Sequence, residues 1–197
     1  MAGEGSAVKE DWWSELSSKW MRNDKRPPRE AKRLGLLAKR NAVVLLRPRS
    51  ICEIGVRAGY SASAMLTAAP DTRFVGIDLG TKHYGPAGPI RNHAIWLLSK
   101  FSDVTLMWQD SHKMQTITPP VDLVHIDGDH SYNGCLMDLK LAKRSGAKWA
   151  VVDDVFNLEA VRRAVKKFTD AHTLNVRWIQ DGHNGTAIVF MEGEGGP

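Results

Sequence analysis

The chain has 197 residues, of which 43% are hydrophobic and 25% are charged, and its formal net charge is +5. This length and apolar content predict one globular domain with its own core. No apolar run approaches the roughly 20 residues that cross a bilayer, and the N-terminus lacks a signal-like apolar block. We therefore expect a cytoplasmic protein without membrane contact. Cys52 and Cys135 lie in apolar contexts, which predicts small buried side chains rather than a disulfide or zinc pair.

The basic excess lies in the first quarter of the chain. Residues 1–49 contain 12 Lys and Arg against 6 Asp and Glu, whereas residues 50–197 contain 15 against 16. A basic segment can attract nucleic acid or another acidic surface, but at this density it is more often a solvated helix face.

Two helices are predicted in this N-terminal segment, over residues 10–21 and 30–46. Three tryptophans, Trp12, Trp13 and Trp20, form an apolar stripe on the first helix. They either pack the helix onto the rest of the domain or contact a substrate. The same stripe offers a surface for pairing two subunits, so a homo-oligomer is also an expectation.

The stretch Ile51–Ser61, ICEIGVRAGYS, has the pattern of a buried strand, a glycine turn and the start of a helix. Gly55 and Gly59 allow positive φ or a close approach of the backbone to a ligand. The dinucleotide pattern G-x-G-x-x-G is absent. Glu53 stands where an acid would repel a phosphate and favour an ammonium group, so the turn is typical of a cofactor loop for a ligand with an amino group and no phosphate.

A second buried strand, residues 73–78, ends in an acid. The next strand of such a unit lies beside the first, so the carboxylate of Asp78 is placed to accept both hydroxyls of a ribose. A third strand, residues 104–108, runs into Asp110 and Ser111. From the residues alone, Asp110 is explained equally well as part of a binding site and as the cap of a following helix.

Ionisable residues follow the fourth and fifth predicted strands. Asp127, Asp129 and His130 come directly after the fourth strand, and Asp153 and Asp154 come after the fifth. Such clusters cost desolvation and mutual repulsion unless something binds there. Because the carboxyl ends of parallel strands meet at one edge, the three aspartates at 127, 153 and 154 predict a site for one hard cation with oxygen ligands.

Together these segments resemble class I S-adenosylmethionine (SAM) methyltransferases, in particular the small O-methyltransferases grouped with macrocin and catechol O-methyltransferases. The likeness rests on Glu53-x-Gly55-x-x-x-Gly59, on residues 126–132 (IDGDHSY) and on Asp153-Asp154, and it covers about residues 50–155. Catechol-type enzymes usually have Asp-Asn where this chain has Asp153-Asp154, so the macrocin-like group fits better.

The resemblance implies a SAM-dependent, magnesium-dependent enzyme that methylates a hydroxyl of a small molecule such as a sugar or natural product. It implies Mg²⁺ on Asp127, Asp153 and Asp154, and a catalytic base at His130 or Asp129. His130 has the alternative explanation of helping to cap the following helix. The implied SAM-binding residues are Glu53, Gly55, Gly59, Tyr60, Ser61, Asp78, Asp110, Ser111 and Asp127.

The implied fold is an α/β, Rossmann-like sheet of seven mostly parallel strands, with helices on both faces and a C-terminal antiparallel hairpin. The hairpin is also indicated by two strand patterns, residues 176–180 and 186–191, joined by a turn-rich linker. We assign residues 1–49 to an N-terminal helical segment on the substrate side, 50–192 to the SAM-binding domain and 193–197 to a disordered tail.

A nucleic-acid methyltransferase is the alternative enzyme, favoured by the basic segment 1–49. A ribose 2′-O enzyme would need two lysines and a glutamate around Asp127, for which Lys32 or Lys39, Lys167 and Glu192 are loose candidates. The chain lacks Asn/Asp-Pro-Pro-Tyr after its fourth strand and lacks Pro-Cys, which argues against amino-directed and cytosine C5 DNA methylation.

A protein that binds SAM or a metal without turnover is the non-enzymatic alternative. An iron hydroxylase using His130 is a weaker one, because a facial triad needs two histidines and His125 is expected to point away from His130.

Overall fold

The structure, a computed structural model, describes residues 12–24, 30–80, 87–182 and 184–192, and the side chains of α1 only as far as Ser18. The predicted tail 193–197 and the side chain of Trp20 lie outside the described residues. The strands are β1 Ser50–Ile54, β2 Arg73–Asp78, β3 Val104–Trp108, β4 Leu123–Ile126, β5 Trp149–Val152, β6 Val176–Ile179 and β7 Thr186–Phe190. The helices are α1 Trp12–Asp24, α2 Glu30–Leu46, α3 Tyr60–Ala68, α4 Ala87–Leu98, α5 Tyr132–Arg144 and α6 Glu159–His172.

All seven strands form one sheet in the order β3-β2-β1-β4-β5-β7-β6. The first five strands pair in parallel, whereas β7 runs antiparallel to both β5 and β6. The strand order reverses between β1 and β4, and in open sheets of this kind ligands bind at the carboxyl ends beside that point. The predicted fold class, including the terminal antiparallel hairpin, is confirmed.

The sheet has a core on each face because side chains alternate along its strands. One core joins Val124 and Val152 to residues of α5 and α6, among them Phe168. The other joins Ile51 and Val151 to residues of α2, α3 and α4. The helix α2 is therefore part of the layer that covers the second face.

The helix α1 packs onto this helical layer. Trp12 and Leu16 are buried with Leu36 of α2, Ala64 of α3 and Leu97 of α4. Packing is thus the role that the structure gives to Trp12. No helix among the described residues has the length and apolar character needed to cross a membrane.

Candidate cofactor and cation site

A cavity of about 580 Å³ opens at the carboxyl ends of β1 to β4. This volume is typical of pockets for small molecules and cofactors. Seven of the predicted site residues contribute to its wall: Gly55, Asp78, Asp110, Ser111, Asp127, Asp129 and His130. The wall also contains Trp108 and Arg91, which sequence analysis did not assign to the site, and the Arg91 guanidinium lies 4.8 Å from the centre of the Trp108 ring.

The turn after β1 needs glycine at its first position. Gly55 has φ +94°, and a Cβ there would lie 2.1 Å from the carbonyl oxygen of Asp127. The Gly55 N–H donates to the Ile77 carbonyl at 2.8 Å, which ties the turn to β2. The absence of a side chain lets the ends of β1 and β4 close up behind the cavity.

Asp78, at the tip of β2, accepts two backbone hydrogen bonds. The Arg57 N–H donates to Oδ2 at 2.8 Å, and the Gly80 N–H donates to Oδ1 at 2.5 Å. These bonds fix the carboxylate at the cavity wall. Each carboxylate oxygen can accept more than one hydrogen bond, so the group keeps capacity for a ligand.

The loop after β3 lies over a buried aspartate, Asp138. Asp110 caps the 3-10 turn at Ser111–Lys113, because its side chain accepts from the His112 N–H at 3.0 Å. Asp110 also lines the cavity. The Ser111 hydroxyl donates to Oδ1 of Asp138 at 2.8 Å. Burial raises the pKa of Asp138 to about 6, although the hydrogen bond from Ser111 opposes that shift.

Glu53 lies behind the cavity wall. It is fully buried, accepts from the Ser61 hydroxyl at 2.5 Å, and its Oε1 lies 2.8 Å from Nδ1 of His125, its neighbour across β1 and β4. Burial raises the pKa of Glu53, although its bond to His125 opposes this. Glu53, Gly59, Tyr60 and Ser61 are not part of the cavity wall, and their contact with a cofactor stays a prediction.

At the β4 end of the cavity, two carboxylates and an imidazole meet. His130 Nε2 lies 3.0 Å from Asp127 Oδ1, and His130 Nδ1 lies 3.4 Å from Asp154 Oδ2. The Asn184 amide donates to the other oxygen of Asp154. Asp127, His130 and Asp154 each offer one ligand atom, and these atoms lie within 4.8 Å of one another.

The third predicted cation ligand has a different partner. Asp153 Oδ1 lies 2.8 Å from Nζ of Lys39 on α2, and both side chains are buried. Burial raises the pKa of Asp153, but the ammonium outweighs it and the net shift is downward. The structure therefore brings Asp127 and Asp154 together as predicted, adds His130, and places Asp153 in an ion pair with a lysine that sequence analysis had considered only for a nucleic-acid enzyme.

The two candidate bases differ in environment. The hydrogen bond to Asp127 raises the pKa of His130, burial opposes this shift, and the charge of Asp154 adds to it. Asp129 is exposed and accepts from the Ser131 N–H at 2.8 Å. The cap of α5 is the Ser131 hydroxyl, which accepts from the Gly134 N–H at 3.0 Å. His130 is therefore not needed as the side-chain cap of that helix.

The strand order, the antiparallel β7 and the cavity at the switch point define the fold of the class I SAM-dependent methyltransferases. A family model described as a methyltransferase domain matches residues 52–155. This match spans more than half of the chain, which therefore belongs to the methyltransferase-domain family. No curated protein matches the sequence significantly.

Solved structures of the same fold cover almost the whole chain. A putative caffeoyl-CoA O-methyltransferase from Staphylococcus aureus shares 14% identity at a TM-score of 0.63, covering 94% of this chain and 92% of its own. The O-methyltransferase from Bacillus cereus in complex with SAH shares 17% at 0.62, covering 98% and 93%. The O-methyltransferase TomG from Streptomyces achromogenes, involved in tomaymycin synthesis and in complex with SAM, shares 20% at 0.57, covering 96% and 91%.

Proposed function

We propose that this methyltransferase transfers the methyl group of SAM to a hydroxyl of a small molecule, with a divalent cation at the β4 end of the cavity. The observation that carries the proposal is the joining of two environments in one cavity. Its β1–β3 end presents backbone turns and single carboxylates, and its β4 end presents Asp127 and His130. Asp154 lies next to this end, with its Oδ2 3.4 Å from Nδ1 of His130.

The cofactor half of the cavity fits SAM. Asp78 is held by two backbone N–H groups at the place where a ribose would be bound. Asp110 and Ser111 lie where the adenine would be bound, beside the ring of Trp108. The turn at Gly55 leaves no Cβ between the cofactor and the sheet. These residues would orient a molecule whose sulfonium already activates the methyl group, so alignment is the main task of the protein.

The β4 end also fits a divalent cation, because two carboxylates and one imidazole converge within ligand distance of one another. The resemblance implies Mg²⁺, and a cation bound here would make an acceptor hydroxyl more acidic. Asp127 and Asp154 would hold it. The proton of the acceptor would pass to a residue of the same wall, for which His130 and Asp129 are the two candidates.

The small-molecule acceptor is supported by the relatives of known structure, which include a putative caffeoyl-CoA O-methyltransferase and an enzyme of tomaymycin synthesis. A nucleic-acid acceptor finds less support in the site. Lys39, the lysine paired with Asp153, is only 2% exposed and is thus not available to a phosphate.

The test is calorimetric titration of the protein with SAM, comparing the wild type with Asp78→Ala. The control is Asp170→Ala, which removes an exposed carboxylate of α6. We expect SAM to bind the wild type and the control at micromolar concentration and to bind Asp78→Ala at least tenfold more weakly. Absence of SAM binding by the wild type would overturn the assignment of the cavity.

The acceptor is tested by following SAH release with a panel of hydroxylated small molecules and, separately, with short RNA. Turnover with members of the first panel supports the proposed acceptor class. Turnover with RNA alone would replace it with the nucleic-acid alternative.

A further inference from the structure

Lys39 forms a buried ion pair at the base of the site. Its Nζ lies 2.8 Å from Asp153 Oδ1 and donates to the Gly35 carbonyl at 3.2 Å, and the two side chains of the pair are 2% and 5% exposed. Asp153 therefore has a protein counter-ion of its own, at contact distance and buried with it.

This ion pair makes Asp153 a poor ligand for a divalent ion. An ion bound to Asp153 would lie a few ångströms from the ammonium, and like charges repel strongly at that separation where water is excluded. Moving Lys39 away would require breaking a buried ion pair. Lys39 of α2, which lies outside the matched methyltransferase domain, thus opposes the binding of a cation by all three predicted carboxylates.

His130 offers the missing third ligand. It is the residue that touches both remaining carboxylates, with one ring nitrogen near Asp127 and the other near Asp154. The Asn184 amide holds the second oxygen of Asp154. In metal sites, the polar atoms of a ligand that do not bind the metal are typically held by hydrogen bonds of this kind.

We propose that the cation centre is built from Asp127, His130 and Asp154, that Lys39 withholds Asp153 from it, and that the centre prefers a first-row divalent transition-metal ion to Mg²⁺. Mg²⁺ favours an all-oxygen environment, whereas imidazole suits first-row ions such as Fe²⁺, Ni²⁺ and Zn²⁺; Mn²⁺, the first-row ion of lowest affinity, serves as the paramagnetic probe. This inference rests on the cation part of the proposed function and not on the acceptor. If His130 held the ion, Asp129 would be the remaining candidate for the proton acceptor.

The experiment is a titration of the SAM-free protein with Mn²⁺, followed by the electron paramagnetic resonance signal of free Mn²⁺, and a competition with Mg²⁺. We expect His130→Gln and Asp154→Asn to weaken Mn²⁺ binding at least tenfold, and Mg²⁺ to compete only in at least a hundredfold excess. His172→Gln is the control for loss of a histidine, because His172 is exposed at the end of α6, and it should bind Mn²⁺ as the wild type does.

Asp153 is tested with Asp153→Asn and with the double variant Lys39→Met, Asp153→Asn. The double variant removes both members of the pair and leaves no buried charge without a partner, so it keeps the test valid if the single variant does not fold. We expect Mn²⁺ affinity within threefold of the wild type in the double variant. The proposal would be overturned in favour of the three-carboxylate site if the double variant lost as much Mn²⁺ affinity as Asp154→Asn while His130→Gln kept the affinity of the wild type.

Failure of this inference is distinguishable from failure of the proposed methyl transfer. Absence of Mn²⁺ binding by the wild type, or Mg²⁺ competing at equal concentration, would overturn the metal centre. SAM binding and acceptor turnover are measured separately and decide the methyltransferase function on their own.

Discussion

Two buried aspartates lie beneath the two halves of the candidate site, and their pKa values are shifted in opposite directions. Asp138 lies beneath the loop after β3; Ser111 donates to it at 2.8 Å, and its Oδ2 has no hydrogen-bond partner among the described residues. Its pKa is raised to about 6 by burial. Asp153 lies beneath the proposed cation centre, and the ammonium of Lys39 at 2.8 Å keeps its pKa lowered despite burial.

The difference shows that the partner decides the direction in which the pKa of a buried carboxyl group shifts. A hydroxyl, even with the His112 imidazole 3.6 Å away, does not compensate the loss of hydration, whereas an ammonium in contact does. The loop after β3 therefore lies over a carboxyl group whose pKa is raised, whereas the region around Asp153 contains a buried pair of opposite charges. Four substitutions test this contrast.

Lys39→Met should have the largest effect, because it leaves the charge of Asp153 buried without a partner. We expect the free energy of unfolding to fall by about 3–5 kcal/mol, measured by urea denaturation. The matched control is the double variant with Asp153→Asn, which should recover most of the loss. A single variant as stable as the wild type would show that the ion pair does not form.

Asp138→Asn should raise the free energy of unfolding instead of lowering it. Because the pKa of Asp138 is raised in the folded protein, its ionisation destabilises the fold. This loss of stability develops as the pH rises from 3.8 to about 6 and is constant above about pH 6. The full difference corresponds to about 3 kcal/mol.

We therefore expect the Asn variant, which still accepts from Ser111, to be more stable than the wild type by about 2–3 kcal/mol at pH 7.5. The gain should disappear below pH 4. Urea denaturation at several pH values measures both, and a gain independent of pH would contradict the assignment to Asp138.

Ser111→Ala should have a smaller, destabilising effect. It removes the one hydroxyl that donates to Asp138, so we expect a loss of about 1–2 kcal/mol at pH 7.5 and a further rise of the Asp138 pKa. Carboxyl resonances followed by NMR during a pH titration measure that rise. An unchanged titration would mean that the hydroxyl does not stabilise the ionised form.

Lys148→Met should have the smallest effect, because it removes a comparable ion pair at the surface. Lys148 Nζ lies 3.0 Å from Asp122 Oδ1, but its side chain is 48% exposed. We expect a loss of less than about 1 kcal/mol that vanishes in high salt. A loss as large as that of Lys39→Met would remove burial as the explanation of the contrast.

The sequence by itself determined the fold class, and it selected seven residues that the structure places at one cavity. The alternation of apolar residues along short segments predicted the strands, and the rule that parallel strands share a carboxyl edge placed Asp78, Asp110 and Asp127 at one cavity. Each of these inferences depends on neighbouring residues and on the direction of a strand. Both are local properties that a sequence displays.

The tertiary structure alone decided which side chains meet. Glu53 faces His125 behind the wall because β1 and β4 pair in that register. Lys39 takes Asp153 because α2 packs over the sheet face that carries it. Contacts of this kind depend on how a helix is rotated and docked against a distant strand. The periodicity of neither segment predicts that arrangement, so the third ligand of the proposed cation centre could be inferred only from the folded chain.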